Sequence, residues 1–262
     1  MNTEVYKLVD THAHLDEIGN LDVVIEEARR AGIIAVVAVG QGYESNLRVL
    51  EISEKYKYFV YPALGLHPGE VGRMNASDID ANLRLIEDNI LPVVAIGEIG
   101  LDYHKKVKAL AHKERQKEAC KTMLELARRY EKPAIIHSRY AWKDSFDLAK
   151  EVGVEKAVFH WYTGISSVLR EIIAAGFFIS ATPATEYHEE HRRAIKEAPM
   201  EKLILETDSP VYYGRDTRYQ SRPSDITRAL GAVALLKGVG KGTVAWETSS
   251  NALRLFGLAL PL

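Results

Sequence analysis

Apolar and polar positions alternate along this chain in whole segments rather than residue by residue. Short, nearly continuous apolar runs occupy residues 6–10, 33–39, 59–64, 93–97, 134–136, 157–159, 177–180 and 203–205. Most are unbroken, which fits strands of a parallel sheet covered on its outer face. Between the runs lie helical patterns, over 21–31, 45–56, 78–89, 112–130, 142–152, 166–175 and 188–198, then 224–237 and 244–256. Eight strand–helix alternations in 262 residues predict an α/β fold, a (β/α)8 TIM barrel, with a doubly wound open sheet as the competing architecture. No low-complexity stretch, Pro/Gly-rich linker or solenoid-type repeat interrupts the pattern, so residues 1–262 read as a single domain.

The residues that close the apolar runs carry the chemistry. Barrel enzymes place their reactive groups at the C-terminal ends of the strands. Thr11-His12-Ala13-His14 follows the first run, and on an extended chain residues i and i+2 share a face, so two imidazoles can converge just past the strand end. The third run enters Gly65-Leu66-His67-Pro68. The fourth enters Gly97-Glu98-Ile99-Gly100-Leu101-Asp102-Tyr103, the fifth His137-Ser138-Arg139, the sixth His160-Trp161-Tyr162-Thr163-Gly164, and the eighth Glu206-Thr207-Asp208-Ser209-Pro210. A lone histidine after an apolar run is usually a satisfied core residue. Histidine or carboxylate at five strand ends on one rim is a metal site, and His12, His14, Glu98, His137, His160 and Asp208 are expected to meet in one pocket.

Six ligands exceed what one tetrahedral ion with an open position needs. They suit two divalent ions that share a carboxylate. Mixed imidazole and carboxylate donors point to Zn, Mn, Co or Ni rather than calcium, with Mg an atypical guest. Two such ions can polarise a phosphoryl oxygen, generate hydroxide and stabilise a leaving oxygen.

Composition narrows the setting. The chain is 27% charged and 47% hydrophobic, as in a water-soluble globular protein, with a formal net charge of −2. That balance does not announce a nucleic-acid binder, so any phosphate-binding surface must be local. The single cysteine, Cys120, excludes an intrachain disulfide and reads as a core residue in a reducing compartment. The start of the chain, Met1-Asn2-Thr3-Glu4-Val5-Tyr6-Lys7, lacks the apolar stretch of a signal peptide, and no run approaches transmembrane length. A cytoplasmic protein without a membrane partner is expected.

These motifs carry a resemblance nearly end to end. The chain resembles the TatD family of metal-dependent deoxyribonucleases within the amidohydrolase superfamily, in Asp10-Thr11-His12-Ala13-His14-Leu15-Asp16, in Gly65-Leu66-His67-Pro68 and, most specifically, in Ala95-Ile96-Gly97-Glu98-Ile99-Gly100-Leu101-Asp102-Tyr103. Arg115-Gln116, Ile136-His137-Ser138-Arg139, Leu205-Glu206-Thr207-Asp208-Ser209-Pro210 and the segment from Asn251 to Gly257 follow in order. The resemblance implies a TIM barrel with a binuclear metal centre. His12 and His14 would hold one ion, His137 and His160 the other, and Glu98 would bridge them. Asp208 would sit on the first ion and accept the proton of the attacking water. Two departures bear on the substrate: Trp161-Tyr162-Thr163-Gly164 replaces a segment of Phe-Ser-Gly character, and Ser221-Arg222-Pro223 stands where the family carries Asn-x-Pro. Both are expected near the substrate mouth.

The expected activity is hydrolysis of a phosphodiester, most simply DNA at ends or single strands, with Glu98 and Asp208 in the catalytic roles. An amide, lactone or aminoacyl-ester hydrolase on the same two ions is the alternative, and a metal-binding barrel without catalysis is a third reading that the intact Asp208 opposes. Arg139 can grip phosphate with its planar fork or form a rim salt bridge. His67 can protonate a leaving oxygen, contact phosphate or stabilise the turn at Pro68. His104 is a weaker candidate, and Asp102 and Tyr103 can orient neighbours, Tyr103 also being a candidate for substrate contact. Tyr103, Trp161, Tyr162, Tyr212 and Tyr213 fall on rim loops, where most are expected to pack under the loops rather than stack on bases. Arg192 and Arg193, with His188 and His191, read as a solvated helix face.

Overall fold

The computed structural model describes residues 5–262; Met1–Glu4, the first part of the segment read for a leader, lie outside the described residues. Eight parallel strands form one sheet in sequence order: β1 (Leu8–Ala13), β2 (Ile33–Val39), β3 (Val60–Leu66), β4 (Ala95–Gly100), β5 (Ala134–His137), β6 (Ala157–Phe159), β7 (Phe178–Ala181) and β8 (Leu203–Leu205). The ring closes between β1 and the segment after β8. Ala13 pairs in parallel with Ser209, and Asp10 accepts from the Thr207 N–H at 2.9 Å and its hydroxyl at 2.6 Å. This is the (β/α)8 barrel that the segment pattern predicts, not an open sheet.

Helices follow the strands: α1 (Leu21–Arg30), α2 (Tyr43–Lys55), α3 (Pro68–Val71), α4 (Ala76–Asp88), α5 (Lys105–Leu110), α6 (Lys113–Arg129), α7 (Trp142–Val152), α8 (Ser166–Ala174), α9 (Glu189–Glu197), α10 (Ile226–Lys237) and α11 (Lys241–Phe256). Short α3 and α5 were not expected, because neither presents a repeating apolar face. Nor was the small hairpin β9 (Tyr212–Tyr213) and β10 (Tyr219–Gln220). No helix among the described residues is long and apolar enough to cross a membrane.

The core has two parts. The larger one packs helices onto the outside of the sheet. The inner one takes apolar residues from every strand, including Val9, Val37, Ala63, Ala95, Ile135, Val158, Phe178 and Ile204, and ends against Leu255, Phe256 and Leu258. Apolar side chains fill the lower barrel, and polar ones are confined to its C-terminal mouth. Cys120 is buried in the outer core, as expected, where burial pushes its thiol up to about 12.

Strands β1, β3, β4 and β5 run past the ends read from apolar character alone. His12, Glu98 and His137 therefore lie within strands, not beyond them. The backbone ladder does not depend on side-chain polarity, so a strand continues through the polar residues it aims into the mouth. Two irregularities do the aiming. Val9 and Ala95 belong to the inner core, and a regular strand would turn the residue three positions later outward. Register shifts between Asp10 and Ala13 in β1, and between Ile96 and Ile99 in β4, reverse that parity and bring His12 and Glu98 to the mouth.

Candidate metal centre

Six residues from five strand ends converge. His12 Nε2 and His14 Nε2 lie 3.2 Å apart. Asp208 Oδ1 is 3.5 Å from the former and 3.3 Å from the latter. Glu98 divides its carboxylate: Oε2 is 3.6 Å from both of these imidazoles, whereas Oε1 lies 2.7 Å from His137 Nδ1 and 2.8 Å from His160 Nε2. The last two nitrogens are 3.2 Å apart. The ligand atoms of His12, His14 and Asp208 all fall within 4.8 Å of one another, and two further groups form, His67–Glu98–His137 and His12–His160–Glu206. The structure thus brings together all six residues read as ligands.

Packing against glycines lets these backbones meet. A side chain at Gly65 of β3 would collide with the Glu98 main chain, and one at Gly100 with that of His137. Asn46 on α2 and Asn82 on α4 both donate to the Gly65 carbonyl, at 2.8 and 3.2 Å, and tie β3 to these two helices. Gln116 on α6 accepts from the Asp102 N–H at 2.8 Å and donates to the Asp102 carbonyl at 3.0 Å, which secures the chain leaving β4. Asp208 has φ 49°, in the left-handed region, and is kept there by its N–H to the His12 carbonyl at 2.8 Å. Non-glycine strain of about 1–3 kcal/mol is typical of functional positions.

Outer partners settle which nitrogen faces the centre in His14, His137 and His160, whereas the buried His12 Nδ1 has no hydrogen-bond partner. His14 Nδ1 lies 3.0 Å from the Val39 carbonyl, which can only accept, so Nδ1 carries the proton and the Nε2 lone pair points at Asp208 and Glu98. His160 Nδ1 faces Glu206 at 3.4 Å, and His137 Nε2 faces Asp102 at 3.3 Å. In both rings the inner nitrogen therefore aims a lone pair at Glu98 Oε1. Lone pairs facing one another across 2.7–3.2 Å repel unless a cation or extra proton sits between them. The donor set fits divalent metal ions on this ground, with outer partners of the kind that orient metal-binding histidines.

Without metal, protons fill that role. Burial opposes charge throughout, but the mutual fields outweigh it. Asp208 and Glu98 raise His14 to about 9, and Glu98 and Glu206 hold His160 well above the ordinary histidine range. The imidazoles in turn keep Glu98 well below the usual carboxylate range, and His14 leads in lowering Asp208. Asp10 differs: burial drives its carboxyl up to about 8 against its hydrogen bonds to Thr207.

Around this centre the mouth opens into a cleft of about 880 Å³. His67 and Arg139 line it; Tyr103 does not. The Tyr103 hydroxyl is committed to Asp144 at 2.7 Å, and Lys113 Nζ sits 4.1 Å above its ring. Arg139 forms the rim salt bridge: Nη2 is 2.6 Å and Nε 2.9 Å from Asp102 Oδ2. His67 caps α3, accepting the Gly69 N–H at Nδ1 (3.0 Å), so its proton is on Nε2, 3.8 Å from Glu98 Oε1. Burial lowers His67 to about 3. A neutral His67 can donate a hydrogen bond from Nε2.

Two expectations about the periphery are corrected, both on α9. Ser221-Arg222-Pro223 lies beside the mouth, as expected, without lining the cleft: the Ser221 hydroxyl donates to the carbonyl of cleft-lining Val211 at 2.8 Å, and Arg222 pairs with Glu27 at 2.7 Å. The departure props the rim from behind. His191 is fully buried rather than solvated, accepting the Thr182 N–H at 3.2 Å and donating to the Tyr162 carbonyl at 2.9 Å. Arg192 and Arg193 are half-buried and donate to loop carbonyls at Thr185 and Gly164. Of the rim aromatics, Tyr162 and Tyr213 are fully buried and Tyr103 is half-buried, whereas Trp161 and the exposed Tyr212 line the cleft. Glu206 and Gln41 were missed as contributors. Glu206 lies two residues before Asp208, and Gln41 Nε2 is 3.3 Å from His14 Nε2, a contact between β1 and the end of β2 that spacing does not reveal.

Comparison with known proteins agrees with the geometry. The sequence profile described as TatD related DNase matches residues 9–257. The human protein named Deoxyribonuclease TATDN3 is 33% identical over 259 residues, covering 95% of this chain and 94% of its own. From Bacillus subtilis (strain 168), Uncharacterized metal-dependent hydrolase YabD is 34% identical, covering 95% and 98%. The 3'-5' ssDNA/RNA exonuclease TatD of Erwinia tasmaniensis is 29% identical, covering 90% and 93%. The crystal structure of YJJV, a TatD homolog from Escherichia coli K12, superposes with a TM-score of 0.88 at 27% identity and covers 98% of this chain and all of that one. With the motifs in order on one barrel rim, the chain belongs to the TatD-related DNase family and is a hydrolase of that family.

Proposed function

We propose that this chain, acting as one domain in the cytoplasm, is a two-metal hydrolase that cleaves phosphodiesters of DNA at ends or in single strands. The observation that carries the reading is the division of Glu98, with one oxygen toward His137 and His160 and the other toward His12, His14 and Asp208. A carboxylate that faces two imidazole pairs at once suits two ions better than one. We assign His12, His14 and Asp208 to one ion, His137 and His160 to the other, and Glu98 to both. Zn, Mn, Co or Ni match these donors, with Mg a weaker candidate. Bound there, the ions would polarise a phosphoryl oxygen and acidify a water.

The chain's own groups do the rest. Asp208, held ionised by its histidine neighbours, accepts the proton of the attacking water. His67 donates its Nε2–H to a phosphoryl or leaving oxygen. Arg139, fixed by Asp102 and about half exposed, faces the cleft as the fixed cation for phosphate. The names of the human and Erwinia relatives favour a nucleic-acid substrate, and the latter favours single strands.

The test is chelation, reloading with Mg, Mn, Co or Zn, and assay on single-stranded DNA, duplex DNA, RNA and simple carboxylic esters. We expect cleavage of single-stranded DNA to return with metal and to vanish in Glu98→Ala and Asp208→Ala. Cleavage that survives both substitutions, or ester hydrolysis without any diester hydrolysis, overturns the reading.

A further inference from the structure

The cleft has two unlike lips. On the β1 and β7 sides it is lined by Glu17 and Glu190. On the β4–β5 side it is lined by Arg139, Tyr140 and Trp142. These sides lie across the ring from one another in the strand order. The β4–β5 lip continues outward into α5. The His104 ring, which caps α5, lies over Tyr140 at 6.3 Å and 23° between planes. Beyond it come Lys105, Lys106 and Lys108, all exposed, and then Lys113, with no acidic residue from His104 through Lys113. None of these four lysines has an ion pair among the described residues, whereas Lys117 pairs with Asp144 and Lys121 with Glu151. In a chain whose net charge is −2, such an unpaired basic segment beside the cleft is local by construction.

Tyr140 adds a second observation. It is 60% exposed at the cleft edge and has φ 57°. A large aromatic side chain in that backbone region is uncommon and is retained where the surroundings impose it. Here the Ala141 N–H to the Ser138 carbonyl at 3.1 Å closes the turn that presents the ring. An exposed aromatic face beside unpaired cations is the combination that binds single-stranded nucleic acid: bases stack on the ring and phosphates follow the charge.

We propose that the β4–β5 lip is a strand-binding surface, with a nucleobase stacked on Tyr140 and the backbone of the same single strand running over Lys105, Lys106 and Lys108. The proposal rests on the phosphodiesterase reading and adds a direction to it: the uncleaved strand leaves over this lip and not over Glu17 and Glu190.

The experiment compares the metal-loaded protein on dT12, on a twelve-base-pair duplex and on bis(p-nitrophenyl) phosphate, which is too small to reach the lip. The triple change Lys105→Ala, Lys106→Ala, Lys108→Ala is expected to lower kcat/KM on dT12 about tenfold at low salt. It should also flatten the slope of log kcat/KM against log salt by about 2, near 0.7 per lost phosphate contact. Tyr140→Ala is expected to cost about tenfold on dT12 and little on the duplex, whose bases cannot stack on it. Both variants should match the parent on bis(p-nitrophenyl) phosphate, which also shows that they fold. If dT12 parameters and salt slope are unchanged while the parent cleaves dT12 and bis(p-nitrophenyl) phosphate, the lip proposal is wrong and the phosphodiesterase reading stands; lysines that serve an acidic protein partner give this outcome. If the parent cleaves no diester under any metal, the phosphodiesterase reading fails and this proposal falls with it.

Discussion

On the β1–β8 side of Glu98, His14 and Asp208 are positioned by main chain; on the β5–β6 side, His137 and His160 are positioned by carboxylates. The Val39 carbonyl orients His14, and the His12 carbonyl and the Ala13–Ser209 pairing hold the Asp208 segment. Asp102 and Glu206 orient His137 and His160. The difference is chemical as well as mechanical. A carboxylate behind an imidazole makes it a stronger donor, whereas a carbonyl chiefly fixes its ring and tautomer. The β1–β8 half has a carboxylate of its own, Asp208, while the β5–β6 half has only its share of Glu98 facing inward. One half is thus closed by the barrel seam, and the other is tuned by side chains that a single substitution can remove.

The largest expected effect comes from the residue the halves share. Glu98→Gln keeps size but removes the charge that both halves use. It should lower activity about a thousandfold or more, the scale of losing several kcal/mol of charge stabilisation, and reduce bound metal below two equivalents by elemental analysis. Retention of two equivalents would mean the halves are independent. Next come the outer carboxylates. Asp102→Asn and Glu206→Gln should weaken one metal equivalent about 10–100-fold in chelator competition and leave the other unchanged. Equal loss of both equivalents would mean that the two halves do not differ in how their histidines are held.

The smallest effects are in pH dependence. In the metal-free protein, His14 is raised to about 9, so its contribution to stability is fully present below about 6.5 and is lost as pH rises through 9. Metal loading near pH 7 should therefore release a proton, measurable by calorimetry in buffers of different ionisation enthalpy. His191, outside the cluster and buried neutral, is lowered to about 4, mainly by burial. Its contribution runs the other way: present above about 6.5 and lost as pH falls through 4. Urea unfolding of the chelated protein should show both limbs, and His191→Gln should flatten only the acidic one. An acidic limb unchanged by that substitution would show that other buried groups set it.

Much of the site was legible because the barrel converts order along the chain into position around a rim. His12, Glu98, His137, His160 and Asp208 each follow an apolar run, and the runs place them in one mouth. The histidines elsewhere show where that logic stops. His67, His104, His112 and His188 all cap helices through Nδ1, accepting backbone N–H groups two or three residues on. Only two of those helices carry an apolar repeat that a sequence can display. His191 sits on a helix whose surface residues are charged, yet its own position is core. Ser221-Arg222-Pro223 has the spacing of a mouth element and supports the rim from behind.

Apolar segmentation and the residue types at segment ends determined the fold, the rim and the identity of the convergent side chains, because strand order in a barrel follows chain order. Tertiary structure alone decided which nitrogen of each ring faces inward, which carboxylates stand behind which histidines, and how Glu98 divides its two oxygens. Those depend on partners from 25 residues away, as for His14 and Val39, to 86, as for His12 and Glu98, and on register shifts within β1 and β4. A one-residue irregularity reverses the face a side chain occupies without leaving a mark in composition or periodicity.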